Sequence, residues 1–495
     1  MKLLTTSFLP LLWLLCFSGS SMAQCLTAEG RAQLFEELLQ KSRDREAWSP
    51  HKTINGYEAF ATAAEKFRQQ FRDADTDQKL ARAIYLLSNL RQDAHLTIRK
   101  VSGGLSFAKG VAYAPIRFTP DFSGAIHDYF VSDTASNVSL STPVEITDQL
   151  LAVNGIPIQR YISQLRPYMI HSTENNLRWK LARYLSVNYA LIDPSLYNGD
   201  TVSYLLKKPD GRQYTVKTQY QVGKKMKWQG NGRPTFEGFQ KVMQRQNFNL
   251  YVGRDEQQIV LIDWRDLEWK LRSDLKALMR YAKRHDLLDH DVIFYAPFSS
   301  GGRGSPRVVR RLTGKSFKTT FGNLRISDLT TRFGNSRKGK IKKWVQKAVN
   351  NGANYTSNEP FKLRYFRADS PGIMRPAKRH FSGNIVGVFS SLGGSNLDQM
   401  FAMIVDNQLM PTIGYPTGGY SNTWELSEII KCPDSGEKLV KYYWNVGHTI
   451  RPNGEVLEGN PAMPDELIPV TRENYPHYWE GLIERALEIL QNTRE

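Results

Sequence analysis

Thiols are scarce in this chain: its 495 residues include 3 cysteines, and Cys16 falls inside an apolar run near the N-terminal end. That leaves Cys25 and Cys432, so at most one bridge, and their spacing does not show whether it forms. Histidine is sparse too, at nine, and no His-Glu-x-x-His pattern occurs. His285 and His290 lie five apart, off a common helical face, so neither a metal nor a cofactor is expected. After residue 17 no run approaches the ~18 apolar residues needed to cross a bilayer, so no membrane-spanning segment is expected in the mature chain. Acids fall short of bases, 48 against 66, giving a formal net charge of +18. No internal repeat is found.

What is present begins with a leader. Lys2, the apolar run 3–17 and the small residues of 18–23 are the three parts of a secretory signal, with Ser21 and Ala23 at the small positions before a cut. Leu15 before Cys16 argues against a lipoprotein box. Residues 1–23 are therefore expected to be removed on export to a periplasmic or extracellular setting, where Cys25 and Cys432 are permitted to pair. Positive charge concentrates in residues 303–347, which open at Arg303 and close at Lys347: fourteen Lys or Arg against one acid, Asp328. Exported chains rarely meet nucleic acid, so none is expected as a partner. Such a stretch fits an anionic envelope surface or an acidic substrate, and it reads equally as a solvated basic face with no dedicated ligand.

The remaining chain is long enough for about three domains at ~150 residues each. Residues 24–98 carry three helical patterns; Tyr57, Phe60, Ala61, Ala64, Phe67 and Phe71 form one apolar stripe, and Leu80, Ala81, Ile84, Leu87 and Leu90 another. Residues 99–222 turn to short strand-like runs. Leu150 to Val153 lead into Asn154-Gly155, a turn pair, and Pro209-Asp210-Gly211 separates two further strands as a hairpin. Residues 161–190 between them read as helix. From 251 to 480 apolar strands alternate with helices, as in an α/β layer, and 303–380 interrupts it as a basic insertion, an inserted subdomain or lid. Residues 481–495 finish the last helix. The expected fold class is thus multidomain α+β.

The most informative stretch is Gly393-Gly394-Ser395-Asn396-Leu397-Asp398. It follows Ile385-Val386-Gly387-Val388-Phe389, a run of buried-strand length, and precedes Leu397, Met400, Phe401, Ile404 and Val405 at helical spacing. Ser395 then falls at a helix start, where unpaired N–H groups and the positive end of the helix dipole can hold a developing oxyanion. Ser-x-x-Asp is equally the pattern of a capping box, with Ser395 accepting from the third residue and Asp398 reaching back. A nucleophilic serine also needs a base. His95, in Asp93-Ala94-His95 after the third N-terminal helix, has the most suggestive setting.

The order Asp93-Ala94-His95, a strand-turn segment around Asn154-Gly155, Gly301-Gly302, Ser395-Asn396-Leu397-Asp398 and Gly414-Tyr415-Pro416-Thr417-Gly418-Gly419 resembles the tail-specific (C-terminal processing) serine protease family. It is most similar to the branch of the tricorn core protease and interphotoreceptor retinoid-binding protein. Glu455 to Asp465 looks like that family's closing segment. The resemblance implies a helical N-terminal domain, a PDZ-like β domain and an α/β protease core. It implies cleavage of a polypeptide, at an unstructured end, with Ser395 as nucleophile, His95 as base and Glu458 as the orienting acid. It implies an oxyanion hole from Gly301, Gly302 and Asn396. Glu458 reads also as a plain surface carboxylate, and the strand-turn segment as a generic hairpin.

Two departures stand out. The branch of the family that uses lysine as base carries it where this chain has Tyr420. The strand end usually written Asp-x-Arg-x-Asn-x-Gly-Gly is here Tyr295-Ala296-Pro297-Phe298-Ser299-Ser300-Gly301-Gly302, without its charged and amide residues. A catalytically inactive relative that binds peptide or envelope components is therefore the competing expectation. Asp406 is expected to be structural.

Overall fold

The computed structural model describes residues 25, 27–107, 111–124, 127–222, 226–229, 234–254, 258–299, 301–337, 339–360, 372–421 and 424–493. The proposed leader, 1–23, lies outside them, as does Ser300. Content is mixed, 32% helical and 25% strand, as α+β requires. No helix among the described residues is long and apolar enough to cross a membrane.

The rear of the molecule is a seven-stranded sheet in the order Phe239–Gln244, Phe248–Gly253, Ile259–Trp264, Asp291–Tyr295, Ile385–Phe389, Thr412–Gly414 and Glu466–Leu467. The first two pairings are antiparallel and the last four parallel. Helices cover both faces, so its central strands are buried throughout and read as continuous apolar runs. Alternate residues divide between two cores. Val260, Ile262, Val292 and Phe294 pack under Leu271–Arg284, Ser305–Leu312 and Asn396–Asp406, while Leu261, Ile293, Val386 and Val388 meet the last helix, Tyr478–Asn492.

The front is built differently. Ala28–Arg45, Tyr57–Ala64 and Asp77–Asn89 supply the main N-terminal helices, each presenting its apolar stripe inward. They share one continuous buried cluster with an antiparallel sheet ordered Ile116–Asp121, Asp128–Thr134, Gln149–Val153, Thr201–Lys207, Gln213–Gln219. In that sheet Asn154 and Gly155 both take positive φ, 51° and 76°, so the strand Gln149–Val153 folds back on Ile156–Pro157 as expected for this pair. The helix read over 161–190 is not continuous. It is Ile158–Leu165, a single 3-10 turn, then Glu174–Tyr184, and Val187–Tyr189 is strand. Pro167 sits in the break, and Thr173 starts the second helix by accepting from Asn176 N–H.

The hairpin Glu425–Lys431 and Lys438–Asn445 crosses from the rear to the front and pairs with Ile98–Arg99. At its turn Cys432 is joined to Cys25 by a disulfide, Cα to Cα 5.4 Å. Among the described residues of 303–380, three helices pack into the body. Ser305–Leu312 packs in the sheet core, and Leu329 and Val345 of Asp328–Asn335 and Lys340–Asn350 join the front cluster. Arg45 locks the first of these helices through Asp328 at 2.8 Å. Asp406 pairs with Arg451 inside the protein, a structural contact.

Candidate active site

Ser395 sits between the strand Ile385–Phe389 and the helix Asn396–Asp406 with φ 60° and ψ −126°. Leu397 N–H donates to Gly394 O at 3.1 Å, so Ser395 holds the first central position of a II′-type turn, which ordinarily takes glycine. Holding a serine there costs on the order of 1–3 kcal/mol, which the surroundings must offset. They do so by close packing. A Cβ on Gly394 would lie 2.1 Å from the Tyr420 ring, and one on Gly393 2.2 Å from Leu397. Ser395 N–H donates to Tyr420 O at 2.9 Å, fixing the turn to the chain opposite.

The capping box is absent. The Ser395 hydroxyl makes no bond to its own helix. Asp398 instead turns inward, fully buried, and accepts from Gly419 N–H at 2.9 Å and Tyr420 N–H at 3.1 Å. Burial raises its pKa to about 6, opposed first by the Thr417 hydroxyl and then by the backbone of Gly419, Ser395 and Tyr420. The hydroxyl has a different partner: His95 Nε2 lies 3.1 Å from Ser395 Oγ, across 300 residues of sequence. His95 stands in the loop after Asp77–Asn89, where its own N–H donates to Asp93 at 2.9 Å and Ala94 N–H donates to Ser172 at 2.9 Å. The ring also packs edge-on against Tyr420, centroids 5.3 Å apart. The residue at the position of a lysine base thus acts as a wall.

Behind the imidazole is a buried acidic group that the sequence reading caught only in part. His95 Nδ1 lies 4.0 Å from Glu425 and has no hydrogen-bond partner among the described residues. Glu458, expected from the resemblance, is buried beside Asp93 and His95, with one donor atom of each within 4.8 Å of the others. Its carboxylate is held by Lys52 Nζ at 2.7 Å, and the same ammonium lies 4.0 Å from Asp93. Burial and then the neighbouring Asp93 push the Glu458 pKa up, while Lys52 opposes them. Burial pushes Glu425 up to about 7, with His95 the main opposing influence. Glu425 and Lys52 went unseen because neither belongs to a motif. Among the described residues of the site, Asp93, His95 and Glu458 form a group with metal-ligand character, and Lys52 already gives them a positive charge. The sulfurs of Cys25 and Cys432 are committed to their bridge.

On the other side of Ser395 is the Gly301-Gly302 turn, both residues at positive φ, 93° and 119°. A Cβ on Gly301 would fall 2.5 Å from Gly394 O and 3.1 Å from Asn396 N, so only glycine lets this backbone lie against the nucleophile turn. Gly301 O accepts from Leu267 N–H at 2.6 Å, and a Cβ on Gly302 would meet Leu267 O at 2.3 Å. Asn396 N–H is a first-turn donor of the kind that a helix leaves without an intrahelical acceptor. Its side chain accepts from Ser305 N–H at 2.9 Å.

A hydroxyl beside an imidazole, backed by buried carboxylates and faced by a glycine turn, defines a site of serine-hydrolase type. No family model matches the chain, and no curated protein does. Among solved structures it is similar to mature CPAF, with a TM-score of 0.72 at 12% identity over 94% of this chain and 98% of that one. Mature CPAF complexed with lactacystin is similar at a TM-score of 0.70, also at 12% identity, over 94% and 99%. The photosystem II D1 C-terminal processing protease follows at a TM-score of 0.40 and 10% identity over 88% and 92%, too loose a likeness to argue from. At 12% identity the CPAF likeness establishes the fold.

Proposed function

We propose that this chain is an exported serine peptidase of the tail-specific kind, cleaving polypeptides through an acyl-enzyme on Ser395. The observation that carries the reading is the 3.1 Å approach of His95 Nε2 to Ser395 Oγ. In the proposed reaction Oγ attacks the peptide carbonyl while Nε2 takes its proton. The imidazolium then gives that proton to the leaving amine, and water repeats the cycle on the ester. Glu425 and Glu458 supply the negative charge that favours the imidazolium. Backbone N–H groups at Gly301, Gly302 and Asn396 are the donors proposed for the oxyanion.

The antiparallel front sheet is proposed to act as a PDZ-like platform for an extended peptide, which would reach Ser395 along the strand Ile116–Asp121. The lysines of Lys340–Asn350 are the part of the basic stretch proposed to face an anionic envelope surface. The test of the core reading is a fluorophosphonate probe, which reacts only with an activated serine. Labelling that is present in the natural chain and lost in Ser395→Ala supports the peptidase. A natural chain that stays unlabelled favours the inactive relative, for which the missing charged and amide residues before Gly301-Gly302 and the tyrosine at 420 are the specific arguments.

A further inference from the structure

A cavity of about 710 Å³ opens beside the nucleophile turn, walled by Ser391, Leu392 and Tyr420 on one side and by the front sheet and the helix Glu174–Tyr184 on the other. Its walls carry three cations, Arg117, Lys180 and Arg183, against one carboxylate, Asp133. Arg117 lies 3.7 Å from Asp133, with its guanidinium 3.7 Å over the face of Trp228. Lys180 and Arg183 have no ion-pair partner among the described residues. Lys180 Nζ is 5.9 Å from the centre of the Tyr420 ring, the ring that also packs against His95. Trp179 fixes the wall to the nucleophile turn by donating to Ser391 Oγ at 2.8 Å.

Gathering three like charges around one cavity is unfavourable unless something negative arrives. Burial lowers the pKa of Lys180, and Arg183 lowers it further; Arg117 is lowered by burial, partly offset by Asp133, with Arg183 adding to the depression. Both depressions ease when an anion enters. Cations set against aromatic faces in a cleft suit a carboxylate that must be desolvated as it binds. After Asp133 is counted the cavity keeps a surplus of two positive charges.

We propose that this cavity is a substrate subsite selecting an acidic side chain, Asp or Glu, a few residues from the bond that Ser395 attacks. The proposal rests on the peptidase reading and names its substrate class.

The test uses the full Ser395→Ala chain, so that binding is read without turnover. Octapeptide libraries with amide-capped ends, an uncharged dye and one position fixed as Glu or as Gln are titrated by fluorescence anisotropy. At the preferred position Glu is expected to bind about ten- to a hundredfold tighter than Gln, the range for a charged hydrogen-bonded group. The ratio is expected to fall towards one between about 0.1 M and about 1 M salt and in the Lys180→Met, Arg183→Met double variant. Arg117→Gln provides a second variant if that one does not fold. Equal binding of Glu and Gln libraries, or a preference that survives both variants, overturns the proposal. So does a preference that follows only an uncapped C-terminal carboxylate. Loss of fluorophosphonate labelling in the natural chain would instead count against the peptidase reading, and the two failures are read separately.

Discussion

The two halves of the site are built on opposite principles. Around Ser395 everything is backbone and close contact: a buried strand, a II′-type turn, and glycines at 301, 393 and 394 where a Cβ would strike a neighbour. Around His95 the contacts are charged: Glu46 with Arg91 and Lys52 with Asp93 and Glu458 are buried, and a partly exposed Glu425 faces the ring. The serine half is made from three short segments of chain, 301–302, 385–398 and 419–420. The histidine half draws on residues 46–52, 91–95, 425 and 458. The first is rigid because nothing else fits, and the second is specified because unpaired charges cannot stay inside.

The largest effect expected is from the serine half. Ser395→Ala should lower kcat/KM on a cleaved peptide by roughly 10⁶ while leaving the fold intact. A rate within tenfold of the natural chain would remove Ser395 from the chemistry, and with it the contrast between the halves.

Next comes Lys52→Met. Glu458 and Asp93 would then be buried without their cation, which should cost about 3–5 kcal/mol in urea unfolding at neutral pH. The loss should shrink in acid, where the two carboxylates can take up protons. If the variant is as stable as the natural chain at both pH values, the histidine half is not held by charge.

The mildest is Glu425→Gln, which should reduce kcat at least tenfold by removing charge from behind the imidazolium. Its pH behaviour sharpens the point. The folded carboxyl is raised from 4.5 to about 7, so the folded state holds that proton more firmly than the unfolded chain does. The associated stability is complete below about 4.5 and is lost as pH climbs through about 7. Thermal unfolding between those limits should therefore flatten in Glu425→Gln. The acid limb of the activity profile should also move, which a merely structural glutamate would not cause.

The same division explains what could be read in advance. The strand Ile385–Phe389, the helix from Asn396 and the turn at Asn154-Gly155 follow from apolar spacing and from residues that tolerate positive φ, all local properties. Ser395 was legible as a helix start, yet the local pattern equally allowed a cap. Its hydroxyl makes no cap bond to its own helix and meets His95, 300 residues earlier, while the Asp398 carboxylate accepts from Gly419 and Tyr420, over twenty residues downstream. Glu458 was reached only through family order, and Glu425 and Lys52 carry no sequence signal at all. The helix expected over 161–190 breaks at Arg166–Tyr168, where Pro167 has no N–H to continue the helical ladder.

By itself the sequence determined the elements: where strands and helices run, and that a serine stands at the junction of one with the next. Periodicity and turn chemistry act over a few residues, so they are written in order along the chain. Only the tertiary structure decided that His95 meets Ser395, that Glu425 stands behind it and that Lys52 holds Glu458. Those contacts join residues hundreds of positions apart, and the burial that gives each charge its force exists only once the chain has closed around it.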